Sequence, residues 1–161
     1  MLSLGAFAEK GDLQNVKGLI ATGVYLNAVD HHGDTALMRS IIAGHVIIAK
    51  ILILNGADIH YRNKNNQDAL IYSCFTNECK EITEMLICRG VSPNTLYEMK
   101  ILGLTCPLTP LMITCVYDCF EIAEVLIRNG AMVDAMDHRG DTALLFAMDK
   151  KASRTIKVLV S

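Results

Sequence analysis

Asp30 to His60 reads DHHGDTALMRSIIAGHVIIAKILILNGADIH, and this stretch decides the fold. Thr35 is a good helix N-cap, because its side-chain oxygen can accept from a free N–H of the first turn. An apolar helix starts at Ala36-Leu37 and breaks at Gly44-His45. A second helix carries Leu52-Ile53 and stops at Gly56, the residue favoured for a left-handed C-terminal cap. Ahead of the first helix lie the turn residues Asp30-His31-His32-Gly33-Asp34. One unit is therefore helix, turn, helix and a projecting hairpin.

The unit recurs. Gly23, Gly56, Gly90 and Gly130 each follow an apolar pair (Leu19-Ile20, Leu52-Ile53, Leu86-Ile87, Leu126-Ile127), at spacings of 33, 34 and 40. A second marker, Thr35-Ala36-Leu37, Asp68-Ala69-Leu70, Thr109-Pro110-Leu111 and Thr142-Ala143-Leu144, recurs at 33, 41 and 33. Each of its first residues is an N-cap type, and proline suits the first helical position, where no N–H is needed. Two markers agreeing on one period point to a repeat architecture.

The unit resembles the ankyrin repeat, whose pattern opens D-x-x-G-x-T-P-L and closes L-L-x-x-G-A-D-V-N; Asp30 through His60 matches it nearly throughout. The resemblance implies an all-α fold, an ankyrin-repeat solenoid of helix-turn-helix units joined by β-hairpin loops. About five repeats make one domain over 1–161, with units at about 1–29, 30–62, 63–94, 95–136 and 137–161. Three departures stand out. Unit three has an extra residue between its helices near Thr76-Asn77-Glu78. The hairpin after Gly90 is longer by seven residues and offers Leu104 and Pro107 where the family has Asp and Gly. The last unit reaches Ser161 two positions before a capping glycine is due, so its helix either caps the stack or is the edge of a longer protein.

Composition narrows the function classes. The chain has 161 residues, 52% of them hydrophobic, with 15 basic and 17 acidic side chains and a formal charge of −2. That is enough mass for a buried core and too apolar for disorder. A nucleic-acid surface would need a basic excess, so no nucleic-acid partner is expected. Ile41 to Leu54 is apolar but too short to span a bilayer and is broken by His45 and Lys50, so no membrane partner is expected either. The N-terminus lacks the basic region of a signal peptide, which makes the cytoplasm or nucleus the expected location and reduced cysteines the expected state.

No catalytic constellation is visible. There is no G-x-S-x-G, phosphate loop or metalloprotease helix, and the resemblance implies a groove rather than a deep pocket. Cys74 and Cys115 share one repeat position and read as small core residues. Cys115 and Cys119 could share a helix face, but no second ligand pair completes a zinc set. Cys88, beside Arg89-Gly90, reads as a surface thiol. We expect no cofactor, no metal and no enzymatic activity in this segment.

The resemblance implies that partners are held by hairpin tips and by the exposed side of the first helices. Carried over by position, these sites are His31, His32, Asp34, Ile42 and Ala43, then Lys64, Asn65, Gln67, Phe75 and Thr76. Val116 and Tyr117 follow, then His138, Arg139, Asp141, Asp149 and Lys150. Phe75 and Val116 are equally readable as partly buried between neighbouring helices. The insertion adds Leu96, Tyr97, Met99, Ile101, Leu102 and Leu104, an apolar density unusual for a solvated loop. Two accounts stay open: the loop folds back over the neighbouring repeats and buries its own apolar residues, or, the reading we favour, it projects as a finger partly packed at its base, with Tyr97 and Met99 most available to a partner. The implied function is a monomeric, non-enzymatic module that binds another protein through its concave face, as a regulatory inhibitor or a pathogen or viral effector acting in host cytosol. The alternative is a substrate-targeting segment of a larger enzyme whose catalytic domain lies beyond Ser161.

Overall fold

The computed structural model describes residues 3–101 and 104–160, except the side chains of 100, 101 and 104. The chain divides into two compact units, Met1–Ser73 and Cys74–Ser161.

The first unit holds α1 (Leu4–Lys10), α2 (Leu13–Ala21), α3 (Ala36–Ile42), α4 (Val46–Leu54) and α5 (Ala69–Ser73). The first helices of successive repeats line up, α1 against α3 and α3 against α5, while α2 backs α1 and α4 backs α3. Leu4, Ala8 and Val16 join Leu37, Met38, Ile41, Ile48 and Leu52 in the core. The helix starts are where the sequence puts them: the Thr35 hydroxyl accepts from the Met38 amide, and Asp68 Oδ1 from those of Leu70 and Ile71. Gly11, between α1 and α2, has φ +74, and a Cβ there would meet the His45 ring at 2.6 Å. That approach lets His45 reach the Glu9 carbonyl oxygen, 3.1 Å from its Nε2.

The second unit opens with a 3₁₀ turn (Asn77–Cys79) running into α6 (Lys80–Cys88). This turn absorbs the extra residue of unit three, with the Thr76 hydroxyl accepting from the Glu78 amide. β1 (Tyr97–Ile101) and β2 (Leu104–Leu108) follow, then α7 (Pro110–Val116), α8 (Phe120–Arg128), α9 (Ala143–Asp149) and α10 (Ser153–Val160). Helix α7 packs on α9, α8 lies between α6 and α10, α8 backs α7, and α10 backs α9. The long connection after Gly90 is a strand pair, antiparallel, with Tyr97 opposite Leu108, Met99 opposite Cys106 and Ile101 opposite Leu104.

Buried hydroxyls recur at one repeat position. Ser40, Ser73 and Thr114 are fully buried, and each donates to the carbonyl three residues earlier at 2.7 or 2.8 Å. Each therefore enters the core already satisfied, which removes most of the cost of burying a hydroxyl.

Candidate protein-binding surface

Three of the hairpins are each fastened by one side chain. Asp30 Oδ1 accepts from the amides of His32 and Asp34 at 2.8 and 3.0 Å. Asn63 Oδ1 does the same for Asn65 and Gln67, at 2.9 and 3.0 Å, and Asp137 Oδ1 for Arg139 and Asp141, at 2.8 and 2.9 Å. Asn and Asp are the residues whose side chains close such turns on their own backbone. The residues that follow are thereby held outward: His31, His32, Lys64, Asn65, His138 and Arg139 are all exposed.

In the first unit the hairpins are also tied to each other. Asn63 Nδ2 donates to Asp34 Oδ1 at 2.7 Å and to the Tyr72 hydroxyl oxygen at 2.9 Å. That hydroxyl lies 3.0 Å from Gln67 Oε1 and 3.3 Å from Asp34 Oδ1. Burial, and then the charge on Asp34, push the Tyr72 phenol up to about 12. On the other side of the cluster, Arg39 donates from Nε to Asp30 Oδ2 at 2.6 Å, and its ηN groups pair with Asp30, with Asp34 and with Glu9. Burial works against ionisation of Asp30, but the Asp34 amide, the Arg39 guanidinium and the His32 amide outweigh it and hold the carboxyl below its ordinary value.

This network corrects two expectations. Asp34 is 5% exposed and is spent on Asn63, Tyr72 and Arg39, so it does not face a partner. Gln67 is half-buried and turned to Tyr72. Both sit at the foot of a hairpin, where the next hairpin draws their polar ends inward. What remains outside in this unit is a pair of tilted imidazoles, His31 and His32, with ring centroids 3.7 Å apart. Lys64 Nζ holds the backbone beneath them through the His31 carbonyl at 2.9 Å. Beside them a groove of about 300 Å³ runs from Ser3 and Glu9 to Asp30, His31, His32 and Arg39.

In the second unit the ends of the first helices carry an aromatic pair. Phe75 is half-buried and Tyr117 is 52% exposed, with rings edge to face at 4.9 Å. Asp149 and Lys150 are exposed and 3.4 Å apart, whereas Thr76, Val116 and Asp141 are half-buried. In the first unit Ile42 is exposed and Ala43 half-buried at the matching positions.

Tyr97 is corrected outright. It is fully buried, and its strand neighbour across the pair, Leu108, is fully buried too. Side chains alternate along a strand, so Tyr97, Met99, Cys106 and Leu108 share one face, which packs inward at the base. Met99 is half-buried. Leu102, and the side chains of Ile101 and Leu104, lie outside the described residues.

Cys74, Cys79, Cys106, Cys115 and Cys119 are buried, Cys88 is exposed, and none is in a disulfide. Burial pushes Cys79 and Cys119 up to about 11 and Cys115 to about 12, so these thiols stay protonated at neutral pH. Among the described residues no group of three or more His, Cys, Asp or Glu could hold a metal ion. No helix among them is long and apolar enough to cross a membrane.

The side chains that position the hairpins were not singled out as sites from the sequence. Asp30, Asn63 and Arg39 do this work, and the signal for the first two was available: they stand 33 residues apart.

Paired helices, recurring hairpins and a repeated turn anchor define a helix-turn-helix repeat protein. Family models agree: three copies of the ankyrin repeat match residues 4–97, and a single ankyrin repeat matches 108–138. The chain belongs to the ankyrin-repeat family. It is 28% identical, over 95% of its length, to an L-asparaginase of Dirofilaria immitis, of which it covers 25%. It is also 28% identical over 88% of its length to the putative ankyrin repeat protein YahD of Escherichia coli, of which it covers 67%. Over 44% of its length it is 32% identical to the ankyrin repeat-containing protein YIL001W of Saccharomyces cerevisiae, covering 14% of that protein. The chain thus spans a quarter or less of two of these relatives. Ankyrin repeats are generally protein–protein interaction modules, and the family is generally non-enzymatic.

Proposed function

We propose that this chain binds a partner protein through its hairpin tips and the exposed ends of its first helices. The observation that carries the reading is the division of labour at three hairpins. Asp30, Asn63 and Asp137 fasten the turn, and the neighbouring His31, His32, Lys64, Asn65, His138 and Arg139 stand exposed. A rigid hairpin loses little order on binding, so its contacts are not offset by folding a loop. Phe75 and Tyr117 supply the aromatic area that anchors interfaces. An inhibitory or effector role fits such a surface. The test is affinity capture from a lysate of the source cell with the wild-type chain and with a variant carrying Ala at His31, His32, Lys64, His138 and Arg139. Proteins retained by the first and lost by the second support the reading; equal retention by both rejects it.

A second reading is that these repeats target a longer enzyme to its substrate. It is favoured by the alignment of nearly the whole chain with a quarter of an L-asparaginase. Sequencing the transcript that encodes residues 1–161 decides between the two: a fused catalytic domain supports this reading, and a transcript encoding repeats alone removes it.

A further inference from the structure

β1 and β2 form a two-stranded sheet, so each has an outer edge. In an antiparallel ladder, pairs that exchange both N–H···O=C bonds alternate with pairs whose backbone groups point away from the partner strand. Pro107 has no N–H, so the Glu98–Pro107 pair cannot be one that exchanges bonds. Two residues on, the backbone groups of Lys100 and Thr105 likewise point away from the partner strand, while the pairs at Tyr97, Met99 and Ile101 hold the ladder. The outer edge of β2 therefore lacks a donor at Pro107 and is blunted. The outer edge of β1 keeps donor and acceptor at both Glu98 and Lys100. Among the described residues no backbone segment other than β2 is hydrogen-bonded to β1, and Glu98 is exposed. An edge with its donors and acceptors intact is a template for another strand.

We infer that the strand it takes is β1 of a second copy of this chain, paired antiparallel about a two-fold axis into a four-stranded sheet. The charge pattern Tyr97-Glu98-Met99-Lys100-Ile101 selects this occupant. Symmetric pairings in phase with the outward backbone groups are centred on Glu98, Met99 or Lys100. The first sets carboxylate opposite carboxylate and the last ammonium opposite ammonium, and like charges directly opposed destabilise a sheet. Centring on Met99 places Glu98 opposite Lys100 of the second copy, twice, with both backbone bonds exchanged at each pair. Five paired residues a side bury far less than the roughly 1,600 Å² of a standard interface, so the association is weak and depends on concentration.

The inference is independent of the partner-binding reading, because its test uses the purified chain alone. In sedimentation equilibrium the wild-type mass is expected to rise with concentration from 17.7 kDa towards twice that value. Glu98→Lys and Lys100→Glu each set like charges against each other, and each alone is expected to stay at the single-chain mass. Mixed in equal amounts, they restore opposite charges at both pairs and are expected to recover the doubled mass. A wild-type chain of single mass up to millimolar concentration overturns the inference. So does a doubled mass in either variant alone, or a mixture that stays single. Glu98→Pro serves if a charge reversal disrupts the hairpin, since it removes an outward N–H and no ladder bond; persistence of the doubled mass in that variant also overturns the inference.

Discussion

Lys151 and Asp118 show at single-residue scale how the repeat constrains its backbone. Both adopt left-handed φ, +55 and +52, between the helices of their repeats, where the matching residues Gly11 and Gly44 have +74 and +76. A side chain in that region costs on the order of 1–2 kcal/mol, against a smaller entropic cost for glycine. Lys151→Gly is therefore expected to raise stability by about 0.5–1 kcal/mol, read as a higher thermal midpoint; an unchanged or lower midpoint refutes the strain at Lys151. Asp118 is a different case, because its Oδ1 accepts from the Thr155 hydroxyl at 2.8 Å and a glycine would lose that bond. The break at Asp118 is visible in the sequence, but the contact that justifies an Asp there is made 37 residues away and is not.

Titration belongs to this scale as well. Tyr72 rises to about 12, Cys79 and Cys119 to about 11 and Cys115 to about 12, in each case chiefly through burial. The ordinary values are 10.0 for the phenol and 9.0 for the thiols, so the unfolded chain releases these protons first. Between the ordinary and the folded values the folded state holds more protons, and stability must fall as pH rises. The contribution is complete below about pH 9 and is lost progressively towards about pH 12. Tyr72→Phe is expected to flatten the part of the thermal-midpoint profile above pH 10 and leave the thiol part; identical profiles would remove Tyr72 as a cause.

Elements are set by their caps, and here equivalent residues differ. The Thr109 hydroxyl accepts from the Met112 amide at 3.3 Å, whereas Thr142, at the same repeat position, makes no side-chain cap bond. Losing an N-cap bond costs about 1 kcal/mol. Thr109→Ala is expected to cost roughly that much and Thr142→Ala much less, by chemical denaturation; equal costs would deny the cap its role. The sequence showed the helix starts at Thr35, Asp68, Thr109 and Thr142, because an N-cap is local chemistry. It did not show that Tyr97 turns inward. Alternation along Tyr97–Ile101 is readable, but which face packs depends on what lies beneath the strand, and that is supplied by residues distant in the chain. Tyr97→Ala is accordingly expected to cost about 3–5 kcal/mol, the range for truncating a buried aromatic ring. The exposed tips were legible and the fastened ones were not, since Asp34 and Gln67 look like ordinary turn residues until Asn63 and Tyr72 are brought beside them.

At the scale of the molecule, a repeat protein is held by contacts between neighbouring repeats, so stability need not be even along it. Within the second unit the comparison can be made position by position. Met112 and Cys115 on α7 are 1% and 0% exposed; Leu145 and Met148, at the same positions on α9, are 47% and 57% exposed. Helix α9 packs on α7 and α10, and its other side faces solvent among the described residues. Truncating a buried Met costs about 2–5 kcal/mol, while an exposed apolar residue returns little when removed. Met112→Ala is thus expected to destabilise strongly and Leu145→Ala by less than about 1 kcal/mol. Local opening follows the same logic, because a helix pair with fewer buried apolar contacts opens at lower free energy than the global transition. Amide hydrogen exchange should show α9 and α10 exchanging faster than α7 and α8, which carry more buried residues. Equal protection across the four helices would mean that the exposed face of α9 carries no energetic deficit.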